Sequence, residues 1–213
     1  MNRTIAIALV AAAAATASAD TVLVEIHGDV WGNQINAAPL GDVNPGETGT
    51  ISFNLDTNNF ANGTFPTRGY AIDLNSFSFT FSGGTSVGIN PAFAGPAYFV
   101  VRDNDPVADG FFLSQGLDFP SDIPLAQTGV FGDFGARFNV SYTGDTLNSL
   151  NIADAAGTYD FTGLTVFGMG INDGPFEDVL GMDFSSMTIT VIPAPSALAM
   201  LGFGGLVATR RRR

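Results

Sequence analysis

Asp103-Asn104-Asp105, followed by Asp109-Gly110, places four oxygen-bearing side chains in one short stretch, the ligand type that calcium prefers. Val107 stands where an EF-hand loop would supply a further ligand, so the spacing is not that of the helix-loop-helix motif. Asp56-Thr57-Asn58-Asn59 and the set Asp173, Glu177 and Asp178 are similar candidates, and each also reads as an acidic turn. Catalytic groups are scarcer. His27 is the only histidine and lies opposite Val22, Val24 and Ile26, on the solvent side of the first strand. Gly84-Thr85-Ser86-Val87-Gly88 matches the nucleophile-elbow pattern, but that elbow joins a buried strand to a helix. Here Ser82-Gly83-Gly84 precedes it and Asn90-Pro91 follows, which predicts a hairpin turn. A glycosidase needs two placed carboxyls, and Glu25, Glu47 and Glu177 are not spaced as a pair. Trp31, in the polar stretch Trp31-Gly32-Asn33-Gln34, is the candidate for stacking on a sugar. Its competing reading is a buried cap on one end of the fold.

The two ends of the chain carry addresses. Ile192-Pro193-Ala194-Pro195 breaks regular structure with two prolines. Residues 196–209 are apolar, and Arg210, Arg211, Arg212 and Arg213 follow. Fourteen helical residues reach about 21 Å, short of the ~30 Å hydrocarbon core, and Gly202, Gly204 and Gly205 weaken the helix further. Four terminal arginines would hold this end on the cytoplasmic side. The order of parts resembles the PEP-CTERM sorting domain, with Ala194 in place of the Glu that commonly separates the two prolines. The resemblance covers about the last tenth of the chain. It implies recognition by an exosortase-like transpeptidase of a double-membraned bacterium, an inner-membrane intermediate, and release to the cell surface or extracellular matrix. At the other end Arg3, the apolar residues 5–15 and Ala17-Ser18-Ala19 before Asp20 follow the grammar of a secretory leader cut by signal peptidase. The expected organisation is a signal peptide over 1–19, one domain over 20–191 and a sorting tail over 192–213.

Composition narrows what that domain does. All 20 acidic residues lie between the two signals against only Arg68, Arg102 and Arg137, a net charge of −17, and lysine is absent. Such a surface excludes charge-driven binding to nucleic acid or an anionic bilayer, leaving the tail as the membrane contact. It attracts divalent cations and repels acidic polymers that no cation bridges. With no cysteine, stability rests on packing, for which 19 phenylalanines are the chief supply.

The elements that must position these residues are strands. Ile51, Phe53 and Leu55 alternate with polar neighbours, as do Phe77, Phe79 and Phe81, then Phe138, Val140 and Tyr142, then Met187, Ile189 and Val191. Val22 to His27, Ala97 to Arg102 and Tyr159 to Phe167 add further strands. Asn62-Gly63, Ser82-Gly83-Gly84, Asp109-Gly110 and Asp173-Gly174 predict turns, and Leu147 to Ala156 is the one weak helix candidate. The pattern predicts an all-β, antiparallel β-sandwich, jelly-roll or immunoglobulin-like. The opening His27-Gly28-Asp29-Val30, Gly41-Asp42-Val43-Asn44-Pro45-Gly46 and Gly49 to Asp56 is similar to sandwich domains carried ahead of such tails. The expectation is an exported surface or matrix protein with a structural or adhesive role and no catalysis. The alternatives are a carbohydrate-binding module for extracellular polysaccharide, with or without calcium, and a glycan hydrolase built on an Asp pair.

Overall fold

The computed structural model describes residues 20–104 and 108–194. The expected leader over residues 1–19, residues 105–107 and the expected sorting tail from Pro195 onward lie outside the described residues. Twelve strands follow in order: β1 (Thr21–Asn33), β2 (Thr48–Asn62), β3 (Thr67–Ile72), β4 (Ser78–Phe81), β5 (Ser86–Val87), β6 (Tyr98–Arg102), β7 (Ala108–Ser114), β8 (Ile123–Thr128), β9 (Asp133–Thr143), β10 (Gly157–Tyr159), β11 (Leu164–Asp173) and β12 (Phe176–Ile192). One 3-10 turn, Leu40–Asp42, is the only helical element among them.

The all-β, antiparallel expectation holds. Two separate sheets do not form, because the ladder closes. It runs β1-β12-β11-β9-β7-β6-β3-β2 and returns to β1, an eight-stranded antiparallel barrel. The remaining four strands attach outside the ring, β4 on β2, β5 on β4, β8 on β9 and β10 on β12. Strands β2, β9 and β12 take these partners on one part of their length and ring neighbours on the other, so they act as corners.

Alternation decides which face turns inward. Val22, Val24, Ile26 and Val30 of β1 are buried, and Ile51, Phe53 and Leu55 of β2 meet them from across the ladder. Gly28 and Gly49 pair with each other on the same inner face. A Cβ on Gly28 would lie 2.7 Å from Met169 Sδ, and one on Gly49 would overlap the end of Met182. The absent side chains leave room for two flexible thioethers, which fill an irregular space well. Elsewhere the interior is aromatic. Ring centroids run from Phe77 to Phe53 at 6.1 Å, Phe53 to Phe99 at 5.4 Å, Phe99 to Phe111 at 5.6 Å, Phe111 to Tyr159 at 4.8 Å and Tyr159 to Tyr142 at 6.0 Å. This chain of rings links strands from across the barrel.

Several local expectations change. Tyr159 to Phe167 is two strands, because Asp160 Oδ1 accepts the Thr162 amide at 2.7 Å and Gly163 takes φ +77° between them. Asp109-Gly110 lies inside β7, not in a turn. Leu147 to Ala156 forms successive turns, held by Asn151 and Asp154, with no helix. Asn62-Gly63, Ser82-Gly83-Gly84 and Asp173-Gly174 do connect strands. Phe99 is fully buried between Phe53 and Phe111. Phe99→Ala should therefore cost about 3–5 kcal/mol, read as a lower denaturant midpoint with an unchanged slope.

Candidate functional site

Trp31 stands inside β1 rather than in a loop beyond it, and a β-bulge aims it. Val30 faces Met182 and Gly32 faces Gly181, so Trp31 is the extra residue between those two pairs. Bulges re-aim side chains in this way. The Cζ2, Cε2 and Nε1 side of the indole sits where a Cβ of Gly181 would be, so the ring rests on bare backbone of β12. It remains 54% exposed, which removes the buried-cap reading. Two residues back, Asp29 faces Asp183 directly across the ladder, both exposed. Like charges opposed on neighbouring strands destabilise a sheet. Thr48 Oγ1 donates to Asp29 at 3.3 Å, while Asp183 has no side-chain partner among the described residues.

Beyond the indole, the strand pairing continues through Gln34 N donating to Val179 O at 2.7 Å. A cavity of about 340 Å³ opens there, lined in part by Gln34, Asn36, Val130 and Val179. Val179 is two residues from Gly181 on one strand, about 7 Å along it. Phe131, next in the chain to the lining residue Val130, pairs with Phe176 at 5.1 Å, and each is 55% exposed.

The acidic candidates are engaged differently. Asp109 is fully buried, and its two oxygens accept the amides of Asn104 at 2.8 Å and Leu147 at 2.6 Å. Asp103 accepts Asn104 Nδ2 at 2.8 Å, and burial, then the neighbouring Asp109 charge, raises its pKa. Asp105 lies outside the described residues. Among the described residues, no three acidic or histidine side chains converge as a metal group would need. Asp56 accepts the Asn58 amide at 2.7 Å in a local turn. Asp173 does not join Glu177 and Asp178: it accepts the amides of Val130 and Phe131 at 2.9 and 3.0 Å, while Glu177 pairs with Arg137 at 2.7 Å. His27 is half-buried on the outer face against Thr50 Oγ1 at 3.0 Å. Ser86 lies in the β4–β5 hairpin, with Gly84 at φ +99°, so the pentad is the turn its context predicts. Pro193 and Ala194 follow β12 as irregular backbone, and Pro195 and Arg210 to Arg213 lie outside the described residues.

A group invisible in the sequence surrounds a second cleft of about 330 Å³, lined in part by Asp122, Arg137, Asn172 and Glu177. Asn172 Nδ2 donates to Asp122 at 2.8 Å, and the Asp178 amide donates to Asn172 Oδ1 at 2.9 Å. Burial raises the Asp122 pKa, against the lowering pull of Asn172 and Arg137. These are the residue types an acid–base pair would use, but Glu177 is held in an ion pair and Asp122 in an amide contact. No family model, curated protein or solved structure matches this chain.

Two outcomes follow from these carboxylates. Asp109→Ala strands the buried Leu147 amide and frees the part-buried Asn104 amide, and should lower stability by about 1–3 kcal/mol, measured by chemical denaturation. Asp122 binds a proton more readily folded than unfolded, so its charge opposes folding above its native pKa and that penalty fades as pH falls. Asp122→Asn should therefore match or exceed the parent in stability at neutral pH and lose the advantage in acid, as thermal midpoints across pH would show.

Proposed function

We propose that this chain is an exported, C-terminally sorted barrel protein of the cell surface or extracellular matrix, structural or adhesive in role and not catalytic. The single observation that carries the reading is the order Pro193-Ala194-Pro195, short apolar run, Arg210 to Arg213. Signal peptidase would act before Asp20 and an exosortase-like transpeptidase at the Pro motif, after a pause in the inner membrane of a double-membraned cell. Residues 196–209 suit a pause better than a lifelong anchor, since they are short of the membrane and broken by glycine. Pulling the arginines into hydrocarbon costs about 2.5–3.5 kcal/mol each on insertion scales, which stalls the tail with its prolines at the outer face.

The fold supports the reading. Among the described residues, strand pairing runs from Thr21 to Ile192, next to the proposed boundaries of both signals. Thr21 pairs with Ile192, so removal of either signal cuts beside the barrel's end and takes no ladder with it. Mass spectrometry of protein recovered from the envelope or medium should give a chain starting near Asp20 and ending near Pro195. An intact Arg213 on fully exported protein would overturn the sorting reading.

A further inference from the structure

Register places Trp31 at the end of the barrel opposite the Thr21 and Ile192 pair. The chain leaves the fold at the Thr21 and Ile192 pair, whereas Trp31 lies ten residues along β1, roughly 33 Å away at strand spacing. The cavity beside Val179 and the Phe131–Phe176 pair belong to that same remote end, because Phe176 opens β12 and Ile192 closes it.

Resting on the surface or matrix reading above, we infer that this remote face binds a neutral, hydroxyl-rich polysaccharide, with Trp31 as the stacking platform and the adjoining cavity as the seat of the next sugar. Four observations support it. An exposed indole seated on a glycine by a bulge is a specific arrangement that does nothing for the core. The amide side chains of Gln34 and Asn36, both exposed at the cavity, supply donors and acceptors. Asp29 and Asp183 are opposed carboxylates whose mutual repulsion falls when hydroxyls donate to them. The charge of −17 over the domain disfavours an acidic chain and leaves a neutral one unopposed.

Trp31 is the only tryptophan, so its fluorescence reports this site alone. The full chain in detergent micelles is titrated with the neutral polysaccharide fraction of the producing cells, with alginate as the acidic comparison. The neutral fraction should shift the emission, and in calorimetric titrations, which need no fluorophore, Trp31→Ala should weaken binding about tenfold with an unchanged unfolding midpoint. Trp31→Phe should keep part of the affinity, and alginate should give no shift. An unmoved emission, or binding indifferent to Trp31→Ala, overturns the inference, as does a shift produced by calcium alone. A trimmed C-terminus without glycan binding would remove this inference only. Trp31-dependent binding in a chain that keeps Arg213 would remove only the sorting reading.

Discussion

Strand β1 is the closure on which the rest depends. It pairs with β12 from Thr21 to Asn33 and with β2 from Thr21 to Asp29, so a single segment joins the first and last parts of the fold. Without it the ring would open at β2 and β12, leaving two long unpaired edges of the kind that invite pairing between chains. Its inner face is aliphatic where the interior is wide enough, and Gly28 where Met169 needs the space. Its outer face carries Glu25, His27, Asp29 and Trp31. Closure, packing and the candidate binding face therefore rest on alternate residues of one strand.

What alternation encodes, the sequence displays. The strands around Phe53, Phe79, Phe138 and Ile189 are legible because each has one buried and one solvated face. Barrel closure is not, since it depends on Val22 meeting both Leu55 and Val191, contacts whose separation in the chain no local pattern records. The bulge at Trp31 is equally hidden: Gly32 and Gly181 reveal their purpose only once paired. Asp109-Gly110 misleads, because the dipeptide common in turns here serves a buried carboxylate within a strand. The Asp122 and Asn172 contact joins residues 50 apart, with no motif to announce it.

The acidity of the domain has a structural use. Asp109, Asp118, Asp173 and Glu47 each accept backbone amides of loops distant in sequence, among them Leu147, Thr64, Val130 and Gly83. In a chain without cysteine, these carboxylates tie loops to the barrel, a task that disulfides perform in many small domains. The pH consequence differs between sites. Glu47 is lowered by the Asn44 amide above all, so its contribution is complete above the ordinary carboxylate range and is lost only as pH falls through its depressed native pKa. Asp103 and Asp122 are raised, mainly by burial, so protonation relieves a cost as pH falls. The two groups therefore contribute to the pH dependence with opposite sign.

Against that background the Asp29 and Asp183 pair is the exception. Neither accepts a backbone amide of a distant loop, and they face each other where the fold alone would favour an opposite charge or a hydroxyl. Trp31 is exceptional in the same way, since an indole left half in water adds less to folding than one buried. Both exceptions sit within two residues of each other, at the end of the barrel farthest from where the chain departs. Phe119 and Phe161 are exposed elsewhere, but an exposed indole two residues from an opposed carboxylate pair combines two such departures, and departures of this kind tend to gather where a protein does its work.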